Sequence, residues 1–247
     1  MAETTDLYRE MANSRTPIGD ALARQALLTS AASLPAPPHD LRVLDIGCGY
    51  GATAIALGTQ CASVVGIEPF AEIAAAAAQA AKDSPNVSIV HTDVLIWETD
   101  RRFDLILLDN VYEHIADHPR LIAQLQTLLA PGGVFYIVVP NRLWPIEVHY
   151  HLPFLSYLPL RLANAYLRAS GRGEDYTDAS YAPTFGSIQR DFAAFPELAY
   201  DFTLPADLSL TEQGASPLYR FGAWLIKKDR RFWALSKAFV IVGRRAG

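Results

Sequence analysis

The chain has 247 residues, 51 % of them hydrophobic and 19 % charged, enough to bury a real core and build one α/β domain with an elaboration rather than two domains. A formal net charge of −5 does not suit a protein whose main task is gripping phosphate backbones, so no nucleic-acid partner is expected. Two cysteines, Cys48 and Cys61, exclude a disulfide framework, and no apolar run reaches the ~20 residues of a membrane-spanning helix.

The first residues, "MAETTDLYREMANSRTPIGD", are polar and of mixed charge, without the pattern of a signal peptide, so a cytoplasmic location is expected. A helix is expected over 17–30, and residues 1–40 are read as a helical cover joined to the sheet by the proline-rich 33–40. Apolar runs rich in Val and Ile then alternate with helical stretches, the pattern of βαβ units and a parallel sheet. Strands are expected at 42–46, 63–67, 87–91, 103–109 and 134–140, with helices at 71–83 and 118–133, the latter stopped by Pro131 and Gly132. After Pro140 the pattern changes, and 141–195 is read as an inserted cap ending in a helix near 184–195. Late strands at 198–204 and 238–245 return to the sheet.

The turn after the first strand, "VLDIGCGYGA" (43–52), fits two ligands. Gly47, Gly49 and Ala52 match the G-x-G-x-x-G/A turn of dinucleotide sites, and Gly47, Gly49 and Gly51 match a D-x-G-x-G-x-G turn. Both need a backbone free to turn tightly out of a strand. Asp45 separates them: a carboxylate there repels a pyrophosphate but attracts an ammonium. Cys48 lies inside the turn and is grouped with it. Glu68 lies 21 residues after Gly47, placed for a ribose diol under either reading. Asp93 and the backbone N–H of Val94 sit past the third strand, suited to an adenine edge. Singly, Glu68 or Asp93 reads as a cap or solvated loop acid. Together they sit at strand carboxyl ends, where open α/β sheets bind ligands. Asp109 and Asn110 close the set after the fourth strand.

Asp45-Ile-Gly47-Cys-Gly49-Tyr-Gly51, Glu68, Asp93, "FDLILLDNVYEHI" (103–115) and "LLAPGGVFYIVVPN" (128–141) together resemble the class I S-adenosylmethionine-dependent methyltransferases, over residues 40–141. The resemblance implies a Rossmann-like, mostly parallel seven-stranded sheet in the order 3-2-1-4-5-7-6, with helices on both faces. It also implies S-adenosylmethionine as cofactor, held by the residues above. A nicotinamide-dependent oxidoreductase and a non-catalytic S-adenosylmethionine-binding protein are the alternatives.

The acceptor side is less determined. The Asp- or Asn-Pro-Pro-aromatic motif of nucleobase and glutamine amino-methylases is replaced here by "DNVY" (109–112), which argues against those acceptors and leaves oxygen, carbon and other nitrogen atoms of small molecules open; a hydroxylated sugar, glycan or secondary metabolite is the foremost expectation. An alcohol needs a base, and histidine suits that role. His114, His149 and His151 are the candidates, with Glu147 orienting a histidine of the cap. The Glu-x-His-x-His spacing of 147–151 resembles a metal motif, but no third ligand is apparent, so no metal is expected. The stretch 219–239 interleaves basic and aromatic residues, which reads as an amphipathic face packed on the sheet or as weak contact with an anionic membrane surface.

Overall fold

The computed structural model describes residues 18–211 and 216–247, so part of the expected N-terminal cover, 1–17, lies outside the described residues. Seven strands, β1 (Arg42–Ile46), β2 (Ser63–Glu68), β3 (Val87–His91), β4 (Phe103–Asp109), β5 (Leu129–Pro140), β6 (Leu198–Thr203) and β7 (Ala238–Arg245), form one sheet in the order β3-β2-β1-β4-β5-β7-β6. The first five run parallel, and β7 runs antiparallel to both β5 and β6.

The continuous apolar character of the central strands follows from cover on both faces. On one face Val43, Leu105, Leu107 and Val134 meet Ala23, Ala26 and Leu27 of a helix over 18–30 (α1) and Ala54 and Leu57 of α2 (Ala52–Gly58). On the other, Leu44, Ile106, Leu108, Phe135 and Ile137 meet Leu121, Ile122 and Leu125 of α4 (His118–Leu128) and Ile188 and Phe192 of α6 (Phe185–Ala193). A helix α3 (Ala71–Ala80) lies between β2 and β3 in the chain. Each Val, Leu, Ile or Phe among them stabilises the fold by about 1.5–3 kcal/mol on full burial. The carboxyl ends of β1 and β4, at the centre of the sheet, are therefore its most rigidly held edge.

One expectation is corrected. The helix expected over 118–133 ends at Leu128, and Leu129 already belongs to β5. Leu129 pairs with Phe103, the register then jumps so that Leu105 faces Val134, and Pro131, Gly132 and Gly133 fill the irregularity. Gly132 has φ +73°, and its carbonyl accepts from Nε of Arg244 at 3.1 Å. Proline and glycine stop a helix, but they equally make a strand bulge, since proline cannot donate to a ladder.

After β5, a segment carrying α5 (Leu160–Ala169) packs on itself through Leu152, Leu155, Ala163, Leu167, Tyr176 and Ala179. The helix α6 that follows packs instead into the main core. The basic-aromatic stretch forms α7 (Pro217–Lys228) and a 3-10 turn (Arg230–Leu235). Ala223 and Trp233 are buried, while Phe221 and Trp224 stack on each other in solvent. Among the described residues no helix is long and apolar enough to cross a membrane.

Gly243 of β7 lies opposite Phe135, whose ring atoms would come within 2.1–2.7 Å of a β-carbon placed there. Phe135 cannot retreat, because it is fully buried and stacked on Phe192. Gly243→Ala is expected to destabilise the protein by about 1–3 kcal/mol through overpacking. Thermal unfolding checks this, and an unchanged melting temperature would refute the packing argument.

Candidate active site

The turn from β1 into α2 is built on three left-handed glycines, Gly47 (φ +70°), Gly49 (φ +53°) and Gly51 (φ +83°). Side chains other than glycine are strained there. The N–H groups of Gly47 and Cys48 both donate to Ile67 O of β2, at 2.9 and 3.0 Å, which locks the turn to the neighbouring strand. A β-carbon at Gly47 would strike Val111 at 2.5 Å, whereas one at Gly49 would meet no heavy atom within 4 Å. The turn is thus packed on one side and open on the other. Cys48 is buried inside it, and that burial pushes its thiol up. Helix α1 sits against the start of α2, with Gly19 close to the backbone of Ala52.

Acids surround the open side. Asp45 is 4 % exposed, and its Oδ2 is buried without a hydrogen-bond partner. Burial, then the charges of Asp109 and Glu68, raise its pKa to about 7. Glu68 accepts from the N–H of Gly49 (3.1 Å) and of Phe70 (3.2 Å), so it braces the turn. Asp109 is half-buried, its pKa raised by desolvation to about 6, and it accepts from Asn110 Nδ2 at 2.8 Å. Asn110 itself takes φ +54°, and its N–H bonds Val138 O. Asp93 is exposed at the end of the β3 loop, capping Leu95 N at 2.8 Å, and Val94 beside it is buried.

A buried carboxylate with an orphaned oxygen asks for a cationic partner. Asp45 fits the ammonium of an amino-acid moiety on those grounds, and the open face at Gly49 leaves room for the chain that carries it. Two surface clefts elsewhere, of about 560 Å³ beside α1 and about 430 Å³ at the amino ends of β1 to β3, touch none of these residues.

A second cluster is assembled from two loops. Residues 145–154 fold back on themselves, with Glu147 N donating to Leu152 O at 3.0 Å. The Glu147 carboxylate, 5 % exposed, fills that loop and accepts from His149 N (2.9 Å), Tyr150 N (2.7 Å) and His149 Nδ1 (2.7 Å). Burial pushes its carboxyl up, but these bonds outweigh it, and its pKa lies below the ordinary range. The same bond to Glu147 raises the pKa of His149. His149 Nε2 faces Glu113 Oε1 at 3.8 Å, and His114 lies edge-on to His149 with ring centroids 5.3 Å apart.

Glu113 was not singled out in the sequence beyond its place before His114. It is fully buried, neither carboxylate oxygen has a hydrogen-bond partner, and desolvation raises its pKa to about 7. It rides on a 3-10 turn (Tyr112–His114) whose buried Tyr112 donates to Asp191 of α6 at 3.1 Å. His114 Nδ1 lies 3.0 Å from Asp178. His151 is not part of this group: it is exposed at φ +52°, and its carbonyl accepts from Arg172.

A family model described as a methyltransferase domain matches residues 12–180. The chain belongs to this family, and its fold is that of the class I S-adenosylmethionine-dependent methyltransferases. Among named relatives, a ubiquinone biosynthesis O-methyltransferase of Rhodopseudomonas palustris (strain TIE-1) is 36 % identical over 106 residues, which is 42 % of this chain and 42 % of the relative. One from Nitrobacter winogradskyi is 37 % identical over 105 residues, 42 % of this chain and 40 % of the relative. The match therefore spans well under half the length of these relatives. The plantazolicin methyltransferase BpumL, solved with a desmethyl-plantazolicin analog and S-adenosylhomocysteine, superimposes with a TM-score of 0.60 at 17 % identity over 98 % of this chain and 90 % of that chain. YcgJ of Bacillus subtilis gives 0.58 at 17 % identity over 91 % and 99 %. The family to which the chain belongs uses S-adenosylmethionine as cofactor, so the dinucleotide reading of the turn is set aside.

Asp45 carries a prediction with a definite sign. Its folded pKa lies above the ordinary carboxylate value near 3.9, so the native state holds a proton that the unfolded chain releases. Its contribution is present below about pH 4 and is lost as pH rises through about 7. Asp45→Asn is expected to abolish S-adenosylhomocysteine binding in titration calorimetry while raising the melting temperature at pH 8 by roughly 10 °C and leaving it nearly unchanged at pH 4. In the wild type, affinity is expected to fall up to ~10-fold per pH unit below about 7, as the carboxylate is neutralised. Retained binding by the variant would remove Asp45 from the site.

Proposed function

We propose that the chain methylates an oxygen of a small hydroxylated acceptor, a sugar, glycan or secondary metabolite, delivered to Glu113, His114 and His149 beside the cofactor trough. The carrying observation is the 2.7 Å bond between Glu147 and His149 Nδ1. It fixes the imidazole so that Nε2, not Nδ1, is free for chemistry, and it aims that nitrogen at the cluster beyond β4. The oxygen-directed names of the relatives support the choice of oxygen over nitrogen.

On this reading Asp45 would hold the ammonium of the cofactor, Glu68 its ribose, and Asp93 with the Val94 N–H its adenine, while Asp109 and Asn110 would line its edge. The open side of Gly49 would leave room for it, and Gly47, Cys48 and Gly51 would shape the turn. When bound, S-adenosylmethionine supplies an electrophilic methyl group. The protein's part is to align the acceptor, exclude water and remove the acceptor proton. His149 Nε2 takes that proton, with Glu147 stabilising the resulting imidazolium. His114 and Glu113 form the wall against which the acceptor oxygen sits. The exposed His151 has no part in the chemistry.

His149→Ala is expected to lower methyl transfer to a responsive hydroxylated acceptor by 10²–10⁴-fold, the ordinary worth of a positioned base. His151→Ala is expected to stay within a few-fold of wild type. Single-turnover transfer of labelled methyl, with S-adenosylhomocysteine affinity measured alongside, checks both. Equal rates for the two variants would dismiss His149 as the base.

A further inference from the structure

We propose that Glu113, His114 and His149 form a binding site for one divalent first-row transition cation, with an open position directed to the acceptor. The inference deepens the reading above, because the acceptor oxygen would occupy that position. Binding of the ion itself is read without turnover and stands or falls separately.

The protein brings together one donor atom from each residue, all within 4.8 Å of one another. His149 Nε2 and His114 Nε2 lie 3.8 and 4.0 Å from the same oxygen, Glu113 Oε1. Those separations are too long for hydrogen bonds. Ligands at about 2.0–2.2 Å from a common metal stand roughly 3.3–3.6 Å apart in tetrahedral geometry, so a closure of about 0.5–1 Å by the partly exposed imidazoles would bring all three atoms onto one ion.

The surroundings select the same occupant. Each imidazole has its Nδ1 engaged by a carboxylate, His149 by Glu147 at 2.7 Å and His114 by Asp178 at 3.0 Å. With Nδ1 as the donor, each Nε2 presents a lone pair, and both lone pairs face a carboxylate oxygen that also carries only lone pairs. Glu113 is fully buried, and both of its oxygens lack any hydrogen-bond partner. In their deprotonated forms the three groups converge as lone-pair donors, an arrangement complementary to a cation. Carboxylates behind metal-bound imidazoles are the usual outer shell of such sites, fixing the tautomer and raising ligand basicity. Two imidazoles and one carboxylate favour zinc or its first-row neighbours over magnesium or calcium.

A bound ion changes how the acceptor is activated. In the ion-free protein His149 Nε2 takes the acceptor proton. In the loaded protein Nε2 is a ligand, and the acceptor oxygen binds the ion. Its O–H bond then breaks with the electron pair remaining on oxygen, and the proton passes to solvent water. The pattern is that of zinc-bound water, which ionises near pH 7.

The test uses the full chain after chelator treatment and dialysis. Titration calorimetry with Zn²⁺ is expected to give one equivalent per chain, and Co²⁺ is expected to give visible d–d absorption that Zn²⁺ displaces. Glu113→Gln and His149→Gln are each expected to weaken Zn²⁺ binding at least 100-fold. Glu147→Gln, which removes only the carboxylate behind His149, is expected to weaken it 10–100-fold. His39→Ala, an exposed histidine elsewhere, is expected to change nothing. S-adenosylhomocysteine affinity reports that each variant is folded and that the cofactor reading holds independently. Binding well below one equivalent, wild-type affinity in both Glu113→Gln and His149→Gln, or Mg²⁺ bound more tightly than Zn²⁺ would each overturn the proposal.

Discussion

The molecule is organised around buried negative charge. Asp45, Glu68, Asp109 and Glu113 stand at or just past the carboxyl ends of β1, β2 and β4, and three of the four have raised pKa values because burial denies them water. Mutual repulsion adds to the cost, since Asp109 and Glu68 both raise Asp45, and Asp109 also raises Glu113. Such a concentration of acids is unfavourable for the folded protein alone. It becomes favourable when cations arrive, and the two proposed here are the ammonium of the cofactor's amino-acid moiety at Asp45 and a metal ion at Glu113.

The rest of the fold holds that arrangement in place. The bonds from Gly47 and Cys48 to Ile67 O tie the glycine turn to β2, so Asp45 cannot withdraw toward solvent. On the other side Tyr112, fully buried, reaches Asp191 on α6 and anchors the turn that carries Glu113. The cap contributes through Glu147, which gathers three donors in one loop and spends its charge on orienting His149. Strand ends hold the side proposed for the cofactor, while a segment with its own small core holds the side proposed for the acceptor. This division lets one scaffold keep its donor and change its acceptor.

Much of this was legible in the sequence because the relevant signals are local. A continuous apolar strand, a glycine turn and an acid at a strand end each occupy a few consecutive residues, and the strand order follows from the family resemblance that they carry together. The misplaced end of α4 shows where local reading fails. Pro131 and Gly132 break a helix and shape a bulge equally well, and only the pairing of Leu129 with Phe103 decides between them. The acceptor cluster was harder for a different reason. His149 and His151 are indistinguishable by spacing, yet a left-handed backbone at His151 turns it away. Glu113 looked like the neighbour of a histidine, and its meaning comes from His149, which the fold brings from 36 positions further along the chain.

The strand order has a consequence for how the polypeptide is assembled during synthesis. Strand β6 leaves the ribosome before β7, yet it has no place on the sheet until β7 lies between it and β5. The first five strands can nucleate from neighbouring segments, but β6 must wait, with Phe202 still unburied. Pairing across β5 and β7 joins residues about a hundred positions apart, the kind of contact that closes late. The nascent chain thus carries an unpaired edge on β5 through the making of the whole cap, and closure of the sheet is set by the arrival of residues 238–245.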